Sequence, residues 1–116
     1  MIEVYHNPRC GKSRNCLAFL DNANQEYTIT KYLEDTPDKE TLKNLIEKLN
    51  IKPIDLVRQK EKIWIENYKN QEMSDEAIIQ AMATNPILIE RPIIIKDNKA
   101  IIAREIDKIE AFFNTK

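Results

Sequence analysis

The residues best suited to chemistry lie close together near the start of the chain, in a segment that combines a cysteine with basic side chains. Cys10 is followed by Gly11, Lys12 and Ser13, and the single histidine of the chain, His6, precedes it by four positions. A cysteine thiolate is a strong nucleophile that can form and exchange disulfides. This segment therefore predicts a catalytic thiol.

Metal chemistry is not expected from these residues. The chain has two cysteines and one histidine, which cannot supply the four ligands of a structural zinc site. Cys10 and Cys16 are also too few and too close together to form the disulfide framework of a small secreted protein. We therefore expect no bound metal and no other bound cofactor.

The elements around Cys10 are predicted to bring its thiol to the N-terminus of a helix. Residues 2–5 have the apolar character of a short buried strand, and His6-Asn7-Pro8 is a turn sequence. A helix begins at or just after Cys10, so its free N–H groups and the positive end of its dipole favour a negatively charged sulfur. The pKa of Cys10 should fall, and neighbouring basic groups should lower it further.

Composition draws attention to Gly11 and to the arginines. A chain of this length at average usage would contain about eight glycines, but Gly11 is the only one. A residue without a side chain lets the backbone N–H groups of Gly11, Lys12 and Ser13 approach a tetrahedral oxyanion closely. The arginines are few, and each is a candidate for a position where a planar, bidentate guanidinium is required. They are Arg9, Arg14, Arg58, Arg91 and Arg104.

The second cysteine has a different predicted role. Cys16 falls in the apolar set of the predicted helix with Leu17 and Leu20, about 9 Å of helical rise from Cys10. We expect it to be a buried core residue, with a resolving thiol as the lesser alternative. Two roles also stay open for His6, which either polarises the cysteine or only shapes the turn.

Length and charge exclude several classes of protein. The chain has 116 residues, enough for one domain, and its 18 basic and 19 acidic residues give a net charge of -1. This balance argues against a nucleic-acid or membrane-surface protein, because both need clustered positive charge. The apolar runs are too short for a membrane span, and the N-terminus lacks the pattern of a signal peptide. We expect a cytoplasmic monomer.

The order of the remaining elements predicts the fold. A second strand over 26–30 completes a strand, helix, strand unit, and a helical insert follows over about 36–84, its first helix capped at Thr36-Pro37. β character returns at Pro86 with Ile87-Leu88-Ile89, then in a hairpin over 93–102, before a final amphipathic helix. The prediction is one α/β, thioredoxin-like domain over 1–116, with a small four-stranded mixed sheet flanked by helices.

The segment from His6 to Asn15 closely resembles the active-site loop of the glutaredoxin-dependent arsenate reductases, the ArsC family with a thioredoxin-like fold. The resemblance covers nearly the whole chain. It implies that Arg58, Arg91 and Arg104 are the three anion-binding arginines of that family, and that the bond before Pro92 is cis.

The resemblance also implies a mechanism and partners. Cys10 attacks arsenate, or a similar small oxyanion, held by the three arginines and by the helix N-terminus. Glutathione acts as a co-substrate and reduces the adduct, and glutaredoxin resolves the mixed disulfide that remains on Cys10. A second catalytic cysteine is not required on this chain.

Two alternatives remain open at the level of sequence. An Spx-type regulator has the same fold, binds RNA polymerase and senses oxidants through a Cys-x-x-Cys pair, but Ser13 occupies the second position of that pair here. A glutathione-linked thiol oxidoreductase would use the same cysteine without an oxyanion substrate. The three arginines argue against this second alternative.

Overall fold

The computed structural model describes residues 2–114, and within them the strands form a single mixed sheet. The sheet has the order β2-β1-β3-β4. β1 runs parallel to β2 and antiparallel to β3, and β3 and β4 pair as an antiparallel hairpin. The strands are β1 (Ile2–Tyr5), β2 (Thr28–Thr30), β3 (Ile93–Lys96) and β4 (Lys99–Ile102). The thioredoxin-like α/β fold predicted from the sequence is confirmed.

The helices are distributed over two compact units of the chain. One unit contains the sheet and is formed by residues 2–35 and 91–114, and the other is Thr36–Glu90. The helices are α1 (Gly11–Asn22), α2 (Lys39–Leu49), α3 (Lys62–Asn67), α4 (Asp75–Thr84) and α5 (Ile106–Asn114). No helix within residues 2–114 is long and apolar enough to cross a membrane.

The core of the sheet-containing unit shows which face of α1 packs against the sheet. Val4 of β1 and Ile94 of β3 are fully buried, and they share one hydrophobic cluster with Cys16 and Leu20 of α1. Ile109 of α5 belongs to the same cluster. Because Cys16 and Leu20 lie on the same face of a helix, their burial fixes α1 against the sheet and places its first turn directly after the loop that follows β1.

The Thr36–Glu90 unit is mainly helical. α2 buries Leu42 and Leu45, and α4 buries Ile79 and Met82. Ser74 caps α4, since its hydroxyl accepts the N–H of Ala77 at 3.1 Å. These buried faces give the unit an apolar interior of its own.

Some local predictions within this unit are wrong. α2 is capped by Asp38, whose carboxylate accepts the N–H of Thr41 at 2.8 Å, and not by Thr36. Asp38 lies directly before the first helical residue, so its oxygen reaches the free N–H groups. Pro86–Leu88 forms a 3-10 turn instead of a strand, and only Ile89 pairs, in an isolated bridge with Val57.

Candidate active site

The loop between β1 and α1 is organised by Asn7. Its side-chain oxygen accepts the N–H of Arg9 at 3.0 Å, and its carbonyl accepts the N–H of Cys10 at 3.0 Å. Its own N–H donates to the Ser13 hydroxyl at 3.4 Å, and Asn7 and Ser13 are both buried. These bonds fix the backbone that leads into α1, so Cys10 is held at the N-cap position. This role of Asn7 exceeds the turn position predicted for it, although asparagine is typical of such side-chain-supported turns.

The environment of Cys10 favours its thiolate. Partial burial raises the pKa, but this effect is outweighed by hydrogen bonds from the Ser13 N–H, the Arg91 side chain, the Lys12 N–H and the Ser13 hydroxyl. Together they lower the pKa of Cys10 to about 7. About half of the Cys10 thiol is therefore ionised at neutral pH, so the group is suited to nucleophilic attack.

Among the groups that lower the pKa of Cys10, Arg91 is the one distant in sequence, and it lies just before β3. Its side chain hydrogen-bonds to the Cys10 sulfur. Its Nε and Nη1 are buried and have no hydrogen-bond partner among the described residues. Buried guanidinium N–H groups without acceptors are costly, so these donors suit an anion that binds beside the sulfur. No local sequence pattern indicated the contact with Cys10.

Arg104 belongs to the same unit and contacts the backbone of Arg91. Its Nη1 donates to the Arg91 carbonyl oxygen at 2.8 Å. The neighbouring Ala103 N–H donates to the Pro92 carbonyl oxygen at 2.7 Å, and the bond between Arg91 and Pro92 is cis, as expected. The segment after β4 is thus tied to the segment before β3.

Arg58 belongs to the Thr36–Glu90 unit, where carboxylates surround it. Its Nε pairs with Glu61 at 3.2 Å, and its Nη1 pairs with Glu90 at 3.2 Å. All three side chains are about three-quarters buried, so these ion pairs are less screened than surface pairs. The charge of Arg58 is therefore offset locally, unlike that of Arg91.

The first turn of α1 carries the other residues predicted to bind substrate. Gly11 and Lys12 are exposed, while Ser13 is fully buried. Gly11 has an ordinary φ, and a Cβ added to it would approach only the Arg14 guanidinium, at 3.8 Å. The surrounding protein would accommodate an alanine here, so neither backbone strain nor local packing requires the glycine.

His6 is buried, and its backbone N–H donates to the backbone carbonyl of Thr30 at 3.0 Å. Burial lowers the pKa of its imidazole, and the positive charges of Lys31 and Arg14 lower it further. His6 is therefore neutral at pH 7. Its Nδ1 is buried and has no partner in the described part of the chain. The groups that lower the pKa of Cys10 are Ser13, Arg91 and Lys12, so the stabilisation of the thiolate rests on hydrogen bonds.

Cys16 differs from Cys10 in its burial and in the direction of its pKa shift. It is fully buried in the core of the sheet-containing unit, and burial raises its pKa to about 12. A thiol in this state is inert as a nucleophile. Both cysteines are free.

The arrangement around Cys10 is suited to covalent capture of a small oxyanion. It combines a sulfur ionised near pH 7 with the N-terminus of a helix and with unpartnered N–H donors of Arg91. Such donors stabilise negative charge that develops when the thiolate attacks. Within residues 2–114, no cluster of three histidine, cysteine or acidic residues could hold a metal ion.

Known proteins resemble this chain over most of its length. The ArsC family matches residues 5–112. An arsenate reductase of Neisseria meningitidis is 35% identical over 112 residues, which cover 95% of this chain and 96% of that protein. A protein of Escherichia coli K12 named YfgD, described as uncharacterized, is 41% identical over 110 residues, which cover 93% of this chain and 92% of that protein.

A solved structure shows the same architecture. The arsenate reductase from Vibrio cholerae is 38% identical to this chain, with a TM-score of 0.89, and the match covers 95% of each chain. The similarity therefore extends over the sheet, the helices and the loop that carries Cys10.

Proposed function

Since the chain belongs to the ArsC family, we propose that it is an arsenate reductase whose nucleophile is Cys10. The observation that carries this proposal is the pairing of Cys10 with Arg91. The Arg91 side chain hydrogen-bonds to the sulfur, and two further N–H donors of the same guanidinium are buried without partners among residues 2–114. A thiolate alone would suit any thiol enzyme, whereas unpartnered cationic donors beside it favour an anionic substrate.

The chemistry begins with the attack of the Cys10 thiolate on the arsenic(V) atom. An S–As bond forms, and one arsenate oxygen leaves as water after it is protonated. The remaining oxygens accept hydrogen bonds from Arg91 and from the N–H groups of Gly11, Lys12 and Ser13. Arg104 and Arg58 are the further anion contacts that the family resemblance implies.

Reduction of arsenic then takes two electrons, which come from the Cys10 and glutathione sulfurs as these are oxidised together to a mixed disulfide. The thiolate of glutathione attacks the Cys10 sulfur, and the S–As bond breaks with its electron pair going to arsenic. Arsenite, in which arsenic is trivalent, leaves, and a mixed disulfide between Cys10 and glutathione remains. A glutaredoxin thiolate attacks the glutathione sulfur and releases the Cys10 thiolate, which completes the cycle.

A coupled assay tests the proposal. Reduced protein is mixed with arsenate, glutathione and glutaredoxin, and NADPH consumption is followed through glutathione reductase. We expect an arsenate-dependent rate that is lost in the Cys10→Ser variant and kept in the Cys16→Ala variant. Absence of an arsenate-dependent rate, together with turnover of a glutathione mixed disulfide, would instead identify a thiol oxidoreductase without an oxyanion substrate.

A further inference from the structure

The Arg91 side chain reaches Cys10 with two of its own guanidinium nitrogens unsupported by other described side chains. Its Nε and Nη1 have no partner within the described residues, and no carboxylate there forms an ion pair with it. Arg58 provides the contrast, because Glu61 and Glu90 hold its guanidinium in place. The direction of the Arg91 side chain therefore depends on the position of its own backbone.

That backbone is held by the segment that follows β4. The Arg91 carbonyl accepts a hydrogen bond from Arg104 Nη1 at 2.8 Å, and the Pro92 carbonyl accepts one from the Ala103 N–H at 2.7 Å. Ala103 is buried and Arg104 is half-buried. A charged donor on a carbonyl in partly buried surroundings forms a strong hydrogen bond.

We propose that Arg104 is a positioning residue for Arg91: by binding the Arg91 carbonyl oxygen, it fixes the backbone from which the Arg91 guanidinium reaches the Cys10 sulfur. This inference deepens the proposed function, on which it rests for the importance of Arg91 and Cys10. Arg104 acts on the sulfur through Arg91, whatever direct contact it makes with an oxyanion. Removing Arg104 should then weaken the stabilisation of the thiolate even when no anion is present.

The test is a double-mutant cycle read out by the pKa of Cys10. The rate of alkylation by iodoacetamide is measured against pH, in a buffer without phosphate or arsenate, for Arg91→Met, Arg104→Met and the double variant. We expect Arg91→Met to raise the pKa of Cys10 by about one unit. Arg104→Met should raise the same pKa by a large fraction of the rise caused by Arg91→Met. In the Arg91→Met background, Arg104→Met should add no further rise.

Two controls separate this role from a general loss of charge or of structure. Arg9→Met removes an exposed arginine beside Cys10 and should shift the pKa less than Arg104→Met does. Arg104→Gln is a second variant, whose amide is too short to occupy the position of Nη1. It should raise the pKa of Cys10 as much as Arg104→Met does. Thermal melts verify that each variant is folded.

Additive shifts in the cycle would overturn the proposal, because they would show that Arg104 acts on Cys10 independently of Arg91. An equal shift from Arg9→Met would also overturn it. Since no arsenate is used, failure of the arsenate assay would leave this measurement interpretable, and failure of the cycle would leave the proposed function intact.

Discussion

At the scale of single residues, two cysteines of one chain have opposite properties because of their surroundings. Hydrogen bonds from Ser13, Arg91 and Lys12 lower the pKa of Cys10 to about 7. Burial in an apolar core raises the pKa of Cys16 to about 12. The difference in pKa makes one thiol reactive at neutral pH and leaves the other inert.

The alkylation of the folded protein should therefore be confined to Cys10. We expect the rate of modification to rise with pH through a midpoint near 7, since the thiolate is the reacting species. Peptide mapping after brief treatment with iodoacetamide locates the modified residue, and Cys10→Ser serves as the control. First modification at Cys16, or a Cys10 midpoint near that of a free thiol, would contradict the active-site assignment.

The three candidate arginines differ in how their charge is balanced. In the described part of the chain, Arg91 has buried N–H groups without partners, Arg104 donates one nitrogen to a carbonyl, and Arg58 is paired with two carboxylates. An incoming anion gains most from the donor that is least satisfied beforehand. The contribution to anion binding should therefore be largest for Arg91 and smallest for Arg58.

Alanine substitutions test this order in the arsenate assay. Arg91→Ala should reduce kcat/KM by about ten- to a hundredfold, which is the value of one charged hydrogen bond. Arg58→Ala should have the smallest effect, and Arg91→Lys should restore only part of the activity because lysine lacks the planar fork. Unchanged kinetics in Arg58→Ala, Arg91→Ala and Arg104→Ala would remove the arginines from the proposed site.

At this scale, the reactive residue could be predicted from the sequence, but its contacts with distant residues could not. The helix start and the lowered pKa of Cys10 followed from local pattern, because a turn and a helix N-terminus are determined by neighbouring residues. The hydrogen bond from Arg91 to Cys10 did not follow from local pattern, since it joins segments that only the sheet brings together. The same holds for the contact of Arg104 with the Arg91 carbonyl.

At the scale of elements, the first turn of α1 has room for a side chain that Gly11 does not supply. Gly11 has an ordinary φ, and a Cβ there would meet only the Arg14 guanidinium at an ordinary contact distance of 3.8 Å, so the fold tolerates a side chain. We therefore expect the glycine to keep the N–H groups of this turn open to an anion.

Gly11→Ala should separate stability from activity. The melting temperature should stay the same or rise slightly, because alanine favours a helix and restricts the unfolded chain. The KM for arsenate should rise, because the methyl group occupies the approach to the N–H groups. Asn15→Ala, at an exposed position of the same helix, is the matched control and should change neither quantity. An unchanged KM in Gly11→Ala would show that the glycine has no role in binding.

The predicted elements were most accurate where the apolar pattern was regular. β1 and the β3–β4 hairpin have the expected places, since short apolar runs and a polar turn define them. The error at Pro86–Leu88 arose because a short apolar run after a proline is compatible with a strand or a turn of helix.

At the scale of the whole molecule, the described structure offers one reactive thiol. Cys16 is buried and its pKa is raised, so it is not available to attack a disulfide on Cys10. An intermediate formed on Cys10 must then be resolved by a thiol from outside the chain. This agrees with the glutathione and glutaredoxin steps of the proposed function.

Intact mass spectrometry after one turnover tests this requirement. We expect the mass of one glutathione added to the protein, both in the native chain and in the Cys16→Ala variant, which keeps the core apolar. Cys10→Ser should show no adduct. A species two mass units lighter than the reduced protein, absent in Cys16→Ala, would show that Cys16 resolves the intermediate instead.

The position of Cys10 at the N-cap of α1 also couples the redox state of the chain to its thermal stability. The N–H groups of Lys12 and Ser13, which a capping oxygen would satisfy in another helix, lower the pKa of Cys10 and so favour its thiolate. A folded-state pKa of about 7 lies below the ordinary value of about 8.5, so this stabilisation is present above pH 8.5 and is lost as pH falls through 7.

Formation of a disulfide on Cys10 removes the charge and should act on the fold as protonation does. After allowance for solvent screening of a partly exposed sulfur, we expect glutathionylation to lower the melting temperature by about 2–4 °C at pH 8.5. At pH 5.5 the thiol of the reduced protein is protonated, so the reduced and glutathionylated forms should have the same melting temperature. Differential scanning calorimetry at both pH values would then report the oxidation state of the chain without any assay of its activity.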